Sequence, residues 1–261
     1  MESKFIHNVS KGSRFNQIYI PKSVEKKFEV GDTVEVKLIK KKKLIFTHNV
    51  TLSAFKKKLI EEVFKFLSKY KEIERVIFFG SFLTEVNAYR DIDISIIVKK
   101  EKDELLEKIT LDLGKEFNLK FHIIISEEQS LMQSLEFSPL TRSMFYRHVS
   151  NKKFNIPSKR IIDKNHLSYI LMMPDDLVNL VYKMNSRTYY DSLRRLLIIE
   201  MFLNKEDEDA LKAKKIIEKL LGKELFIKCI ENKIISKEET EKVKKIMSHN
   251  LELIKRRLKN G

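Results

Sequence analysis

Val76-Ile77-Phe78-Phe79-Gly80-Ser81, followed nine residues later by Asp91-Ile92-Asp93-Ile94-Ser95-Ile96-Ile97-Val98, is the stretch on which the reading of this sequence turns. Arg75 to Phe79 form a short apolar strand, and the strand ends in a Gly-Ser turn. A glycine there lets backbone N–H groups approach an anion closely, and the serine adds a hydroxyl. A second strand, Asp91 to Val98, opens with Asp-x-Asp. Period two puts Asp91, Asp93 and Ser95 on one face and Ile92, Ile94 and Ile96 on the other. Neighbouring carboxylates repel unless a positive charge sits between them. Magnesium is suited to that place, because it takes one or two carboxylates together with phosphate oxygens. The pattern is the layout for metal-assisted in-line displacement at phosphorus.

Working outward, Phe55, Ile60, Val63, Phe64 and Leu67 recur at helical spacing behind Ser53, a suitable N-cap. Beyond the second strand, Asp103 to Phe117 read as a helix and Leu119 to Ile125 as a third strand. Residues 51–158 therefore make an α/β unit.

The order Gly-Ser, nine residues, Asp-x-Asp, with apolar strands on both sides, resembles the polymerase-β-like nucleotidyltransferases, especially their minimal microbial members. The resemblance covers roughly residues 53–155 and implies roles for named residues. Gly80 and Ser81 would hold the β- and γ-phosphates of an NTP, and Asp91 and Asp93 would hold two divalent ions, Mg²⁺ or Mn²⁺. Catalysis would rest on Asp91, Asp93 and the residue on the third strand. The family places a third carboxylate there, whereas this sequence has Leu119-Lys120-Phe121-His122-Ile123. His122 can bind metal or take a proton, and Glu127 and Glu128, just beyond, are alternatives. The implied reaction moves an NMP from an NTP to an acceptor hydroxyl on protein or RNA. The competing reading is a core that has lost catalysis and only senses nucleotide.

The first fifty residues are of another kind. Gln17 to Ile20 read as a strand before Pro21, Ser23 to Phe28 as one or two helical turns, and Gly31-Asp32 as a turn. Thr33 to Ile39 alternate as a strand, Lys40 to Lys43 form a basic turn, and Leu44 to Phe46 follow. Too few apolar residues are present for a core in one copy. The succession Ile20-Pro21-Lys22, Gly31-Asp32, Val34-Glu35-Val36 resembles the swapped-hairpin DNA-binding domains of the AbrB/MazE type. That resemblance implies an intertwined homodimer and DNA contact through basic residues, here Lys11, Arg14 and Lys22. A module that only dimerises fits the same residues.

Residues 159–261 carry helical signals and no strand signal. Pro174-Asp175-Asp176 would open one helix, with Leu177, Leu180, Val181 and Met184 on its stripe. Tyr189 to Leu203, Ala210 to Leu221 (stopped by Gly222) and Lys237 to Leu258 follow, the last behind a Ser236–Glu239 capping box. Arg142 and His148 have a spacing used by some helical RNases but lie too early in the chain, so they read as coincidence. Lys183, Arg187 and Tyr189, and the pair Arg194 and Arg195, read as solvated helix surface or as contacts to an anion.

Composition bounds the rest. Among 261 residues, 43% are hydrophobic and 34% charged, which suits a folded chain. The single cysteine, Cys229, excludes an internal disulfide and a cysteine-based zinc site, and fits a cytoplasmic setting. No stretch approaches a membrane span or a signal peptide. The net charge of +15 is densest in residues 1–50, where 11 Lys and Arg face 5 Asp and Glu. Such a surface attracts polyanions. The expected architecture is α/β (α+β): residues 1–50 a swapped-hairpin β domain, 51–158 a mixed-sheet nucleotidyltransferase core, and 159–261 an α-helical bundle.

Overall fold

A computed structural model describes residues 5–37, 45–85, 90–100, 103–179 and 185–260. It divides into two compact units, residues 1–42 and 43–261. In the first, β1 (Ser10–Lys11) pairs antiparallel with β2 (Asn16–Gln17). A short 3₁₀ turn spans Glu25–Lys27. Gly31 takes φ 109°, and the Asp32 carboxylate accepts from the Glu29 N–H at 2.8 Å. Among the described residues of this unit none is buried, and Ile6, Val9, Phe15, Tyr19, Val30, Val34 and Val36 are each more than half exposed. Residues 33–37 form no strand, contrary to the alternation of Thr33 to Ile39. A strand exists only through a partner's hydrogen bonds, and among the described residues a single copy of this unit offers none beyond the two-residue ladder. Leu38 to Leu44, including the basic turn, lie outside the described residues.

The second unit opens with β3 (Phe46–His48), α1 (Ala54–Leu67), β4 (Ile73–Phe79) and β5 (Ile92–Val98). It continues with α2 (Asp103–Phe117), β6 (Phe121–Glu127), α3 (Glu128–Phe137), α4 (Pro139–Phe145) and β7 (His148–Ser150). Five strands make one mixed sheet in the order β3-β7-β4-β5-β6. Only β5 and β6, joined by the α2 crossover, run parallel. Phe46, grouped by sequence with the first segment, is thus part of the central sheet, opposite Ser150.

The two faces of the sheet are covered differently. Ile60, Val63 and Leu67 of α1 and Ile109 and Leu113 of α2 pack on Val76, Phe78, Ile92, Ile94 and Ile96. On the other face Leu131 and Leu135 of α3 and Phe145 of α4 close over Ile77, Phe79 and Ile97. The α1 stripe is rotated from its expected setting. Phe55 is 65% exposed, whereas Lys56 is buried at 6%. Positions 56, 60, 63, 64 and 67 share the face of one helix, and 55 lies ~100° away from 56.

Helices α5 (Lys164–Asn179), α6 (Ser186–Leu203), α7 (Ala210–Leu221), α8 (Lys223–Ile230) and α9 (Lys237–Asn260) build a third apolar core around Leu167, Leu193, Ile199, Ile217 and Val243. Pro174 does not open a helix but sits inside α5, which starts behind Asp163, whose carboxylate accepts from the Asn165 and His166 N–H groups. Burial of Pro174 beside Leu167, Ile170, Leu171 and Leu177 offsets the hydrogen bond a proline cannot make. Leu180, Val181, Lys183 and Met184 lie outside the described residues. The capping box of α9 forms in both directions, Glu239 N–H to Ser236 Oγ at 3.0 Å and Ser236 N–H to Glu239 Oε2 at 2.7 Å.

An ionic clasp ties these helices to the sheet layer. Glu208 Oε1 accepts from Arg142 Nε at 3.0 Å and from Arg160 Nε at 2.9 Å, with Arg142 and Glu208 both buried. Asp209 accepts from Arg147 at 2.8 Å, and Asp207 from Tyr146 Oη at 3.1 Å. Burial pulls the Arg142 pKa below its ordinary value, against the Glu208 charge. Among the described residues, no helix is long and apolar enough to cross a membrane.

Candidate active site

The Gly-Ser turn leaves β4 at a residue whose backbone only glycine adopts readily. Gly80 has φ 77° and ψ −161°. A Cβ placed there would lie 2.0 Å from Asp93 Oδ2 and 2.8 Å from its Cγ, so the missing side chain is the space the Asp93 carboxylate occupies. Ser81 begins a 3₁₀ turn, Ser81–Leu83, pinned by the buried side chains of Phe82 and Leu83. Thr84 closes the turn, donating from its N–H (3.0 Å) and its hydroxyl (2.8 Å) to the Ser81 carbonyl. Ser81 is exposed.

Asp93 sits on β5 with Phe79 of β4 on one side and His122 of β6 on the other. His122 Nδ1 lies 2.9 Å from Asp93 Oδ1. With the carboxylate ionised it can only accept, so Nδ1 is the donor of this bond. The His122 side chain is 59% exposed and that of Asp93 19%. Burial holds the Asp93 carboxyl above its ordinary pKa; the His122 hydrogen bond opposes this, and the nearby charge of Asp91 adds to it. Asp91 itself precedes β5.

Gly80, Asp93 and His122 are thus in mutual contact through Asp93, with Asp91 close enough to act on it and Ser81 one residue beyond Gly80. Glu127 and Glu128 are not part of this group. Glu127 pairs with Val98 at the other end of β5, five residues or ~16 Å along β6 from His122. Glu128 is held by Arg75 at 2.7 Å. Arg142 belongs to the clasp, and His148 is buried with Nδ1 donating to the Phe145 carbonyl at 2.7 Å. Arg187 bonds Asp191 and the Ile230 carbonyl, Arg195 the Ile170 carbonyl, Arg194 pairs with Asp191, and Tyr189 is fully buried. Lys11, Arg14 and Lys22 are exposed on the first unit.

Among the described residues no three His, Cys, Asp or Glu side chains form a cage for a metal ion. Two neighbouring carboxylates with few other ligands are the donor set magnesium accepts when phosphate oxygens complete its shell, so the residues present fit such an ion bound together with a nucleotide. A cavity of about 690 Å³ opens elsewhere, among α6, α7 and α9, floored by Leu197, Met201, Ile216 and Ile246. It contains none of the residues above, and Lys242, Lys245 and His249 are among its other lining residues.

A Gly-Ser turn packed against a carboxylate on the neighbouring strand, with a second carboxylate and an imidazole beside it, is an arrangement chemically suited to phosphoryl transfer. Residues 61–137, from α1 to the end of α3, match the family described as polymerase beta, nucleotidyltransferase. This part of the chain is similar to the nucleotidyltransferase domains of the polymerase-β type, which supports a core of that kind. No curated protein and no solved structure matches the chain.

Proposed function

We propose that the chain is a Mg²⁺- or Mn²⁺-dependent transferase that moves an NMP from an NTP to a hydroxyl on protein or RNA. The observation that carries this reading is the packing of Asp93 against the Cα of Gly80. It couples the turn that would receive the phosphates to the carboxylate that would hold the ion, so both act on one nucleotide. Gly80 and Ser81 would bind the β- and γ-phosphates, and Asp91 and Asp93 would hold the ion. When bound, that ion would offset charge on the phosphates and acidify the attacking hydroxyl. Asp93 would orient the His122 ring through Nδ1, leaving Nε2 to take the proton of the acceptor hydroxyl. The α3–α4 layer behind Phe79 keeps water from that side of the strands.

The reading is tested by incubating the protein with labelled ATP, CTP, GTP and UTP, Mg²⁺ or Mn²⁺, total RNA and cell protein. Label on RNA or protein supports it. Nucleotide binding without transfer under every condition would favour a nucleotide-sensing regulator.

For the first unit, the seven apolar side chains left exposed in one copy favour a homodimer of swapped-hairpin type, with Lys11, Arg14 and Lys22 as its DNA contacts. Deleting residues 1–42 is expected to convert a dimer into a monomer in sedimentation; a truncated protein that stays dimeric refutes this.

A further inference from the structure

Lys56 lies on the core-facing stripe of α1, at the position an apolar residue would be expected to fill. Ser53 Oγ accepts from the Lys56 N–H at 3.3 Å, so the helix cap fixes where this side chain starts. Its Nζ stands over the Phe82 ring, 5.5 Å from the centroid, and donates to the Thr84 carbonyl at 2.6 Å. Thr84 is the residue that ties off the Ser81–Leu83 turn through two bonds to the Ser81 carbonyl. A lysine head is rarely taken out of water unless its donors are used. Here one donor is used on the turn that follows Gly80.

We propose that Lys56 is a positioning residue of the nucleotide site, holding the Ser81–Thr84 turn through the Thr84 carbonyl so that Gly80 and Ser81 stand ready for a triphosphate. The inference rests on the nucleotidyltransferase reading of that turn. The ammonium also places a positive charge behind the turn, where it favours a bound polyanion over a neutral ligand. A lysine that merely snorkels would place its head in solvent rather than on a backbone carbonyl of the phosphate-binding turn.

The test measures equilibrium binding of MgATP, MgGTP, MgCTP and MgUTP, with the corresponding monophosphates, to the wild type, Lys56→Met, Lys56→Gln and Lys56→Arg. Hydrogen exchange of the Leu83 and Thr84 amides is followed without nucleotide. Lys56→Met keeps a long unbranched apolar side chain but removes the donor and the charge. It is expected to weaken triphosphate binding at least ~10-fold, as for a lost charged hydrogen bond. Monophosphates should be affected less, and the two amides should exchange faster. Lys56→Arg is expected to recover most of the binding. If Lys56→Met does not fold, Lys56→Gln, a neutral donor, carries the comparison with Lys56→Arg. Wild-type binding that is unchanged in both neutral variants overturns the inference alone. Equal losses for monophosphate and triphosphate overturn it too, as the mark of a structural residue. A wild type that binds no NTP overturns the nucleotide reading, and this inference with it.

Discussion

Replacing Gly80 by alanine puts one methyl group where the fold has least room for it. The new Cβ would lie 2.0 Å from Asp93 Oδ2, and ordinary contact begins at 3.4 Å, so the carboxylate must retreat by about 1.4 Å. The backbone adds its own cost, because φ 77° with ψ −161° is a glycine conformation, worth ~1–3 kcal/mol when another residue is held there. The retreat also breaks the 2.9 Å contact to His122, which contributes at most ~1 kcal/mol because the histidine is largely exposed. A total near ~1–4 kcal/mol corresponds to a fall of roughly 2–16 °C in Tm for a unit of this size. Nucleotide transfer should fall further, by ~10²-fold or more, as expected for a reacting group misplaced by 1 Å. Differential scanning calorimetry of Gly80→Ala, Asp93→Ala and the double variant separates the two costs. If the clash is real, alanine at 93 relieves part of it, giving a coupling of at least ~0.5 kcal/mol. A Gly80→Ala protein that melts and binds nucleotide like the wild type refutes the argument.

Three further outcomes are expected. His122→Ala should reduce transfer at least ~10²-fold, and His122→Asp should retain it or raise it; an unchanged rate in His122→Ala makes the histidine a bystander. Glu208→Ala leaves the buried Arg142 facing Arg160 without their shared carboxylate, at a cost of ~3–5 kcal/mol by urea denaturation, and a loss below ~1 kcal/mol would show the clasp to be unimportant. Burial lowers the His148 pKa below 6.5, so below pH 6.5 the unfolded chain binds a proton that the folded one resists. That contribution to stability is whole above pH 6.5 and declines as pH falls towards the folded pKa. Melting temperatures from pH 7.5 to 5.5 should therefore drop less in His148→Gln than in the wild type, and parallel curves would refute the assignment.

Elements with local punctuation were legible in the sequence. Asp103 to Phe117 and Ala210 to Leu221 form as read, the latter because Asp209 caps one end and Gly222 breaks the other. The capping box of α9 needs only residues three apart. What escaped reading depends on distant partners. Strands β3 and β7 have three residues each, too few to show alternation, and pair His48 with His148 a hundred residues on. The α1 stripe contained Lys56 rather than Phe55 because adjacent positions differ by only ~100° and periodicity alone cannot exclude a lysine from a core. Pro174 reads as a helix start because the breaker is visible locally and the burial that outweighs it is not. In the site, Gly80 and Asp93 stood out as residues, but their contact across the β4–β5 turn required the fold. Glu127 and Glu128, plausible by nearness in sequence, are separated from Asp93 by the length of a strand.

Whether Asp91 and Asp93, with the Gly80-Ser81 turn, serve nucleotidyl transfer is decided by supplying the same NTP labelled at either the α- or the γ-phosphate, with Mg²⁺ and the acceptor fraction. The expected outcome is that α-label becomes attached to RNA or protein, that γ-label leaves as pyrophosphate, and that Asp91→Asn and Asp93→Asn abolish attachment while remaining folded. Attachment of γ-label, or α-label attachment undiminished in both variants, would contradict it.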